Sequence, residues 1–268
     1  MMSENRMPNS GRKKAGKVFL VGAGPGGIGD MTLRAVTAIR ECEVLCGYTV
    51  YIGLILDQMP QAAGKRILTT PMRQEMERCR AALEEASLGR SVAMICSGDA
   101  GVYGMAGPVL ALQSAYPDVE TEIIPGVTAA VSGAAVLGAP LMNDFCVLSL
   151  SDLLTPWEII EKRLRAAAAG DFTAVLYNPM SKKRTGHLRH ACEIFLEYRA
   201  ADTACGWVRN IGRNGQEKRL LTLEELRDEK VDMFTTIYIG CSSMRKDQGR
   251  LIAPRGYAGQ REAEHEDS

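Results

Sequence analysis

The run Gly22-Ala23-Gly24-Pro25-Gly26-Gly27 comes directly after the apolar residues 18–21 and just before a stretch with Leu33, Val36 and Ile39 at the spacing of one helical face. A glycine-rich turn from strand to helix opens an α/β unit, and its glycines let a backbone or a ligand come close. Two further segments repeat the arrangement. Ser97-Gly98-Asp99-Ala100-Gly101-Val102-Tyr103 follows the apolar strand candidate 92–96, and Pro125-Gly126-Val127-Thr128-Ala129-Ala130 follows the candidate at 121–124. Loops at the carboxyl ends of strands are where open α/β sheets bind ligands.

The first loop satisfies the GxGxxG spacing of a dinucleotide site through Gly22, Gly24 and Gly27. Two features count against that use. A nicotinamide site wants an acid at the end of the second strand to hold the ribose, and after residues 44–46 this chain has Gly47 and Tyr48. Pro25 also removes a backbone N–H from the loop that would cradle the pyrophosphate. A NAD-dependent oxidoreductase is therefore disfavoured. For Asp99 two readings stay open: a carboxylate that meets ribose hydroxyls or an amino group, or a cap on the following helix.

Strand candidates at 18–21, 44–46, 66–68, 92–96 and 121–124, with a helix over 72–87 closed by Gly89, make a first sheet. A second series follows Pro140, with strands at 145–150, 172–177, 204–209 and 235–239. The boundary is expected near 139–144, giving domains over 17–140 and 145–252. Residues 1–16 read as a flexible extension and 253–268 as a polar tail. Thr155-Pro156-Trp157-Glu158 reads as an N-cap hydroxyl followed by a proline at the first helical position, and Thr222 with Glu225 has capping-box spacing.

Lys plus Arg balance Asp plus Glu at 32 each, so no overall field favours nucleic acid. The apolar runs are strand-sized, well short of the ~20 residues a bilayer span needs. The eight cysteines are scattered through apolar runs without a CxxC pair, as expected of buried thiols in a reducing cytoplasm rather than of disulfides or a zinc site. The pair His187-x-x-His190 lacks a thiol or carboxylate neighbour in sequence and reads as a surface feature; no metal is expected.

Taken together, the three loops resemble the tetrapyrrole methylase family over residues 17–252. Pro25, Gly98-Asp99 and Thr128-Ala129 match its proline-containing glycine loop, Gly-Asp loop and Pro-Gly-x-Thr-Ala segment. Ser149-Leu150-Ser151-Asp152-Leu153-Leu154-Thr155-Pro156-Trp157-Glu158 and Tyr177-Asn178-Pro179 are similar to the C17-methylating, ring-contracting branch, which acts on precorrin-3B or cobalt-factor III in cobalamin biosynthesis. Ala100 departs from the pattern, since many relatives have proline there.

The resemblance implies a two-domain α/β fold with a ligand cleft between the domains, S-adenosyl-L-methionine as cofactor, a tetrapyrrole substrate, and a homodimer. It implies cofactor contacts from Pro25, Ser97, Gly98, Asp99, Val102 and Thr128 in the first half. It also implies Ala129 beside Thr128, and in the second half Asn178, Asn210 and Ile211, with Thr235 and Thr236 closing over the adenine. Ser151 and Asp152 are candidate groups for the proton transfers of ring contraction, against a purely structural role in the turn. The substrate's carboxylates call for basic partners. Arg73, Lys182, Lys183, Arg184, Arg213 and Arg245 are available, and Arg184 is preferred because it follows Asn178-Pro179. Methylation of another ring position and a non-catalytic tetrapyrrole carrier are the remaining alternatives.

Overall fold

The computed structural model describes residues 15–181 and 184–255. Residues 1–14 of the expected extension, 256–268 of the expected tail, and Lys182 and Lys183 lie outside them. The ends of the described chain are tied down. Gly16 N–H donates to the Ala86 carbonyl, and Ala253, which was assigned to the tail, is buried with its N–H on Ala139 O. Contacts divide the chain into two compact units between Thr128 and Ala129.

The first unit runs β1 (Lys17–Gly22), α1 (Leu33–Glu41), β2 (Val44–Tyr48), α2 (Thr49–Gln58), β3 (Arg66–Thr70), α3 (Glu75–Ser87), β4 (Ser91–Cys96), α4 (Ala106–Leu112) and β5 (Glu120–Ile124). Its sheet is wholly parallel in the order β3-β2-β4-β1-β5. After their first residues, Lys17 and Ser91, the central strands β1 and β4 carry no polar side chain, as expected where both faces are covered. Alternate residues serve opposite layers: Leu20 and Met94 face α3 and α4, while Val21 and Ile95 face α1 and α2. The helix after β1 thus lies on one face of the sheet and the helix after β4 on the other. Their leading loops diverge, and the carboxyl ends of these adjacent strands form a topological switch point.

Local details differ from expectation. Leu33 is exposed, and the buried side of α1 is Ala35, Ala38 and Ile39, because Thr32 caps the helix by accepting from Ala35 N and sets its rotation. Helix α3 starts at Glu75 rather than 72, after Arg73 in a left-handed conformation; Gly89 closes it as expected.

The second unit runs α5 (Ala129–Leu137), β6 (Gly138–Ala139), β7 (Phe145–Ser149), α6 (Trp157–Ala169), β8 (Thr173–Tyr177), α7 (His187–Leu196), β9 (Ala204–Arg209), β10 (Glu217–Thr222), α8 (Leu223–Arg227), β11 (Thr235–Ile239), β12 (Arg245–Asp247) and β13 (Arg250–Ile252). Its main sheet has the order β10-β9-β11-β8-β7, antiparallel except for the parallel pair β7-β8. Helices α6, α7 and α8 cover one face, where Leu176 and Ile237 point, and α5 covers the other, where Val175 and Tyr238 point.

That packing puts α5 in the second unit, ahead of the boundary expected near 139–144. Tyr238, fully buried, donates to the carbonyls of Ala129 and Ala130. A Cβ on Gly133 would lie 2.3 Å from the Tyr238 hydroxyl, so the helix approaches the sheet only because glycine stands there. Thr155 is not the cap of α6: the helix begins at Trp157, after Pro156, without a side-chain cap. The Thr222–Glu225 capping box is present at α8.

All eight cysteines are free and seven are buried, with Cys146 half-buried. Burial pushes the thiols of Cys46 and Cys205 up to about 12 and those of Cys79 and Cys96 up to about 11. No described helix is long and apolar enough to cross a membrane.

Candidate active site

The three glycine loops leave the neighbouring strands β4, β1 and β5 at their carboxyl ends and touch backbone to backbone. Ala23 N–H donates to Cys96 O, and Gly24 and Gly98 exchange N–H···O bonds of 3.0 and 2.8 Å. Both of these glycines have positive φ, +71° and +68°. A Cβ on Gly126 would stand 2.2 Å from Gly98 O and 2.5 Å from Gly22 O, so contact between the loops depends on its absence. Asp99 fastens the assembly. Its Oδ1 accepts from Gly101 N at 2.7 Å and Val102 N at 3.1 Å, and its Oδ2 accepts from Gly126 N at 2.9 Å. Asp99 is thus a loop builder with both oxygens engaged, closer to the capping reading than to a carboxylate held ready for a ligand.

This wiring decides between cofactor chemistries. A pyrophosphate needs free backbone N–H groups or cations. Here the N–H groups of Ala23 and Gly24 are paired within the protein, Pro25 has none, and residues 22–27, 97–103 and 125–130 contain no Lys or Arg. Strand β2 ends in Gly47-Tyr48 with no acid. A ligand carrying a sulfonium fits such a setting, since these loops hold no opposing Lys or Arg.

In the second unit, the antiparallel pairing brings the ends of β8 and β9 to the edge where β11 begins. Asn178, left-handed at φ +54°, donates from Nδ2 to Ser149 Oγ at 3.0 Å, and the same oxygen accepts from Ser151 N at 3.2 Å. The Tyr177 hydroxyl accepts from Ala130 N at 2.6 Å, holding the start of α5. Asn210, also left-handed, bonds Phe234 O through its N–H and Gly215 O through Nδ2. Thr235 and Thr236 are buried strand residues. The Thr235 hydroxyl donates to Asp232 Oδ1, and Ile211 packs with Tyr238 in the core.

Asp152 faces two partners. His187 Nε2 lies 3.1 Å from its Oδ2, and Arg184 Nε lies 3.7 Å from its Oδ1, while Arg184 Nη1 donates to Leu150 O at 2.9 Å. The His187 ring stands edge-on to Trp157 at 4.6 Å. His187 therefore has a carboxylate neighbour after all and is only 20% exposed at its side chain, which corrects its reading as a surface feature. The partner lies 35 residues away and leaves no local signal. Of the other basic candidates, Arg213 N–H bonds Asn210 O, and Arg245 lines a cavity at the opposite ends of strands β8, β9 and β11 with Asp171, Arg199 and Asp202. Among the described residues no cluster of three His, Cys, Asp or Glu side chains is arranged to hold a metal ion.

Comparison with known proteins agrees with this layout. A protein of Salmonella typhimurium named probable cobalt-factor III C(17)-methyltransferase is 45% identical over 239 residues, covering 89% of this chain and 98% of its own. A Sinorhizobium precorrin-3B C(17)-methyltransferase is 36% identical, covering 91% and 98%. The crystal structure of the methyltransferase CobJ superposes with a TM-score of 0.82 at 35% identity, covering 90% of this chain and all of that one. The model of the Tetrapyrrole (Corrin/Porphyrin) Methylases matches residues 17–227, and the chain belongs to that family.

Proposed function

We propose that this protein is an S-adenosylmethionine-dependent methyltransferase that methylates C17 of precorrin-3B or cobalt-factor III, with ring contraction, in cobalamin biosynthesis. The observation that carries the cofactor class is the set of glycine loops in which the N–H groups of Ala23, Gly24, Gly98, Gly101, Val102 and Gly126 are internally paired and which hold no cation. The full-length likeness to two C17-methyltransferases supports the substrate and ring position over other members of the family. A homodimer in the cytoplasm completes the reading; buried, unpaired thiols support the reducing compartment.

When bound, S-adenosylmethionine supplies an electrophilic methyl group on a sulfonium. Everything else is positioning, which is the main resource for in-line transfer to a carbon nucleophile. In this reading Pro25, Ser97, Gly98, Val102 and Thr128 contact the cofactor from the first unit, with Asp99 acting through the loops it fastens. Ala129, Asn178, Asn210 and Ile211 contribute from the second, and the buried Thr235 and Thr236 shape the floor beneath them. Arg184 meets a substrate carboxylate through Nη2, since Nη1 is engaged with Leu150 O. Ser151 and Asp152 serve the proton transfers of ring contraction.

Calorimetry tests the cofactor class: S-adenosylhomocysteine binds and NADH does not, whereas NADH binding alone refutes the reading. Asp99→Asn turns an N–H group toward backbone donors that the carboxylate now satisfies. The expected result is a roughly tenfold weaker S-adenosylhomocysteine affinity in the same titration. Asp152→Asn is expected to leave that affinity unchanged and to slow formation of the contracted product by about 100-fold. Unchanged product formation would remove Asp152 from the mechanism.

A further inference from the structure

We infer that His187 is a positioning residue for Asp152: its imidazole fixes the direction of the carboxylate and stabilises its charge for proton transfer. The inference rests on the methyltransferase reading above.

The contacts leave little freedom at this point. The Asp152 side chain is 39% exposed and sits in the loop between β7 and α6, where water and loop motion would ordinarily let a carboxylate turn. It has a hydrogen-bond partner on one oxygen and a charged neighbour on the other. Oδ2 lies 3.1 Å from His187 Nε2, and Oδ1 lies 3.7 Å from Arg184 Nε. Arg184 is itself held, by Leu150 O through Nη1 and by a turn with Ser181 through its backbone.

His187 is held as well. It is the first residue of α7, and its ring is set edge-on, at 82°, against Trp157, the first residue of α6. Trp157 also has the His190 ring 5.2 Å away. The two helix starts thus form a rigid seat for the imidazole, and the carboxylate it meets lies near the positive end of α7.

Arg184 and His187 differ in kind. At 3.7 Å the guanidinium supplies charge without a well-formed hydrogen bond, whereas the imidazole at 3.1 Å is within donor distance. Orientation therefore falls to His187 and general attraction to Arg184, which keeps Nη2 for the substrate. Tetrapyrrole carboxylates drawn to Arg184 would pull it away from Asp152, and the carboxylate would then depend on His187 alone.

The test uses His187→Phe, which keeps the ring against Trp157 but donates nothing, and His187→Gln, whose amide nitrogen reaches about as far as Nε2. With cobalt-factor III as substrate, His187→Phe is expected to lower kcat about 10- to 100-fold, the range of one hydrogen bond to a charged group, with KM within about threefold of wild type. His187→Gln is expected to recover most of kcat, and S-adenosylhomocysteine affinity to stay unchanged in both. Adding His187→Phe to Asp152→Asn should cost nothing further, because the two act as a unit. If His187→Phe does not fold, His187→Asn, whose shorter amide stops short of Asp152, replaces it. An active wild type with unchanged kcat in His187→Phe, no rescue by Gln, or additive losses in the double variant would overturn the inference alone. A wild type that transfers no methyl group to the corrinoid overturns the underlying reading, and the inference with it.

Discussion

Gly126→Ala is expected to abolish S-adenosylhomocysteine binding at micromolar concentrations while leaving the sequence chemically almost unchanged. The added methyl group would stand 2.2 Å from Gly98 O and 2.5 Å from Gly22 O, both backbone atoms at strand ends that cannot swing aside. Relief requires the three loops to part, which also lengthens the Asp99–Gly126 bond of 2.9 Å. Overpacking of this kind costs about 3 kcal/mol at its upper range, equivalent to a weakening of about 100-fold. Gly107→Ala in α4 is the control, because a Cβ there meets nothing within 4 Å. It should bind normally and melt at the same or a slightly higher temperature, since alanine favours helix by ~1 kcal/mol. Calorimetry on both variants reads the difference directly.

Arg199→Met is expected to give the largest loss of stability away from the loops. The Arg199 side chain is 3% exposed and donates to Gly240 O, Ala167 O and Phe172 O, the carbonyls at the end of β11, in the last turn of α6 and just before β8. Burial lowers its pKa while Asp171, 3.8 Å from Nε, opposes the shift. Methionine fills much of the volume but takes the guanidinium donors from Gly240 O and Phe172 O, while Ala167 O keeps its bond from Phe172 N–H. Each buried unsatisfied acceptor costs ~1–3 kcal/mol, and the costs overlap, so a loss of about 3–5 kcal/mol is expected. Urea unfolding should show a lower midpoint with an unchanged slope. A shift within 1 kcal/mol would mean that water replaces the guanidinium at no cost.

The parts of the fold legible from sequence are those where one physical signal acts alone. Strands β9 and β11 have the expected bounds, 204–209 and 235–239, since burial on both faces fixes them. The glycine loops were legible because their spacing and their place after strands are local. Strand β10 was not: Glu217, Lys218 and Arg219 are exposed on a sheet edge, and only pairing with β9 makes them a strand. The unit boundary was placed too late because nothing in Ala129–Leu137 tells a small-residue helix which sheet it will cover. That choice is made by Tyr238, a hundred residues on, reaching under Gly133.

The candidate site divides in the same way. Gly98, Asp99, Asn178 and Ser151 were found through motifs, but the work of Asp99 was not, because its three amide partners come from two different loops. His187 escaped because Asp152 is distant in sequence and the geometry that joins them depends on where α6 and α7 start. Conversely, the family resemblance pointed to Thr235, yet its hydroxyl is taken by Asp232.

The central claim is tested most directly by incubating the purified protein with methyl-labelled S-adenosylmethionine and either cobalt-factor III or precorrin-3B, then locating the label by NMR. The account predicts label at C17 of a ring-contracted product from at least one of the two. Label at another ring carbon, or none in the corrinoid while S-adenosylhomocysteine still binds, would contradict it.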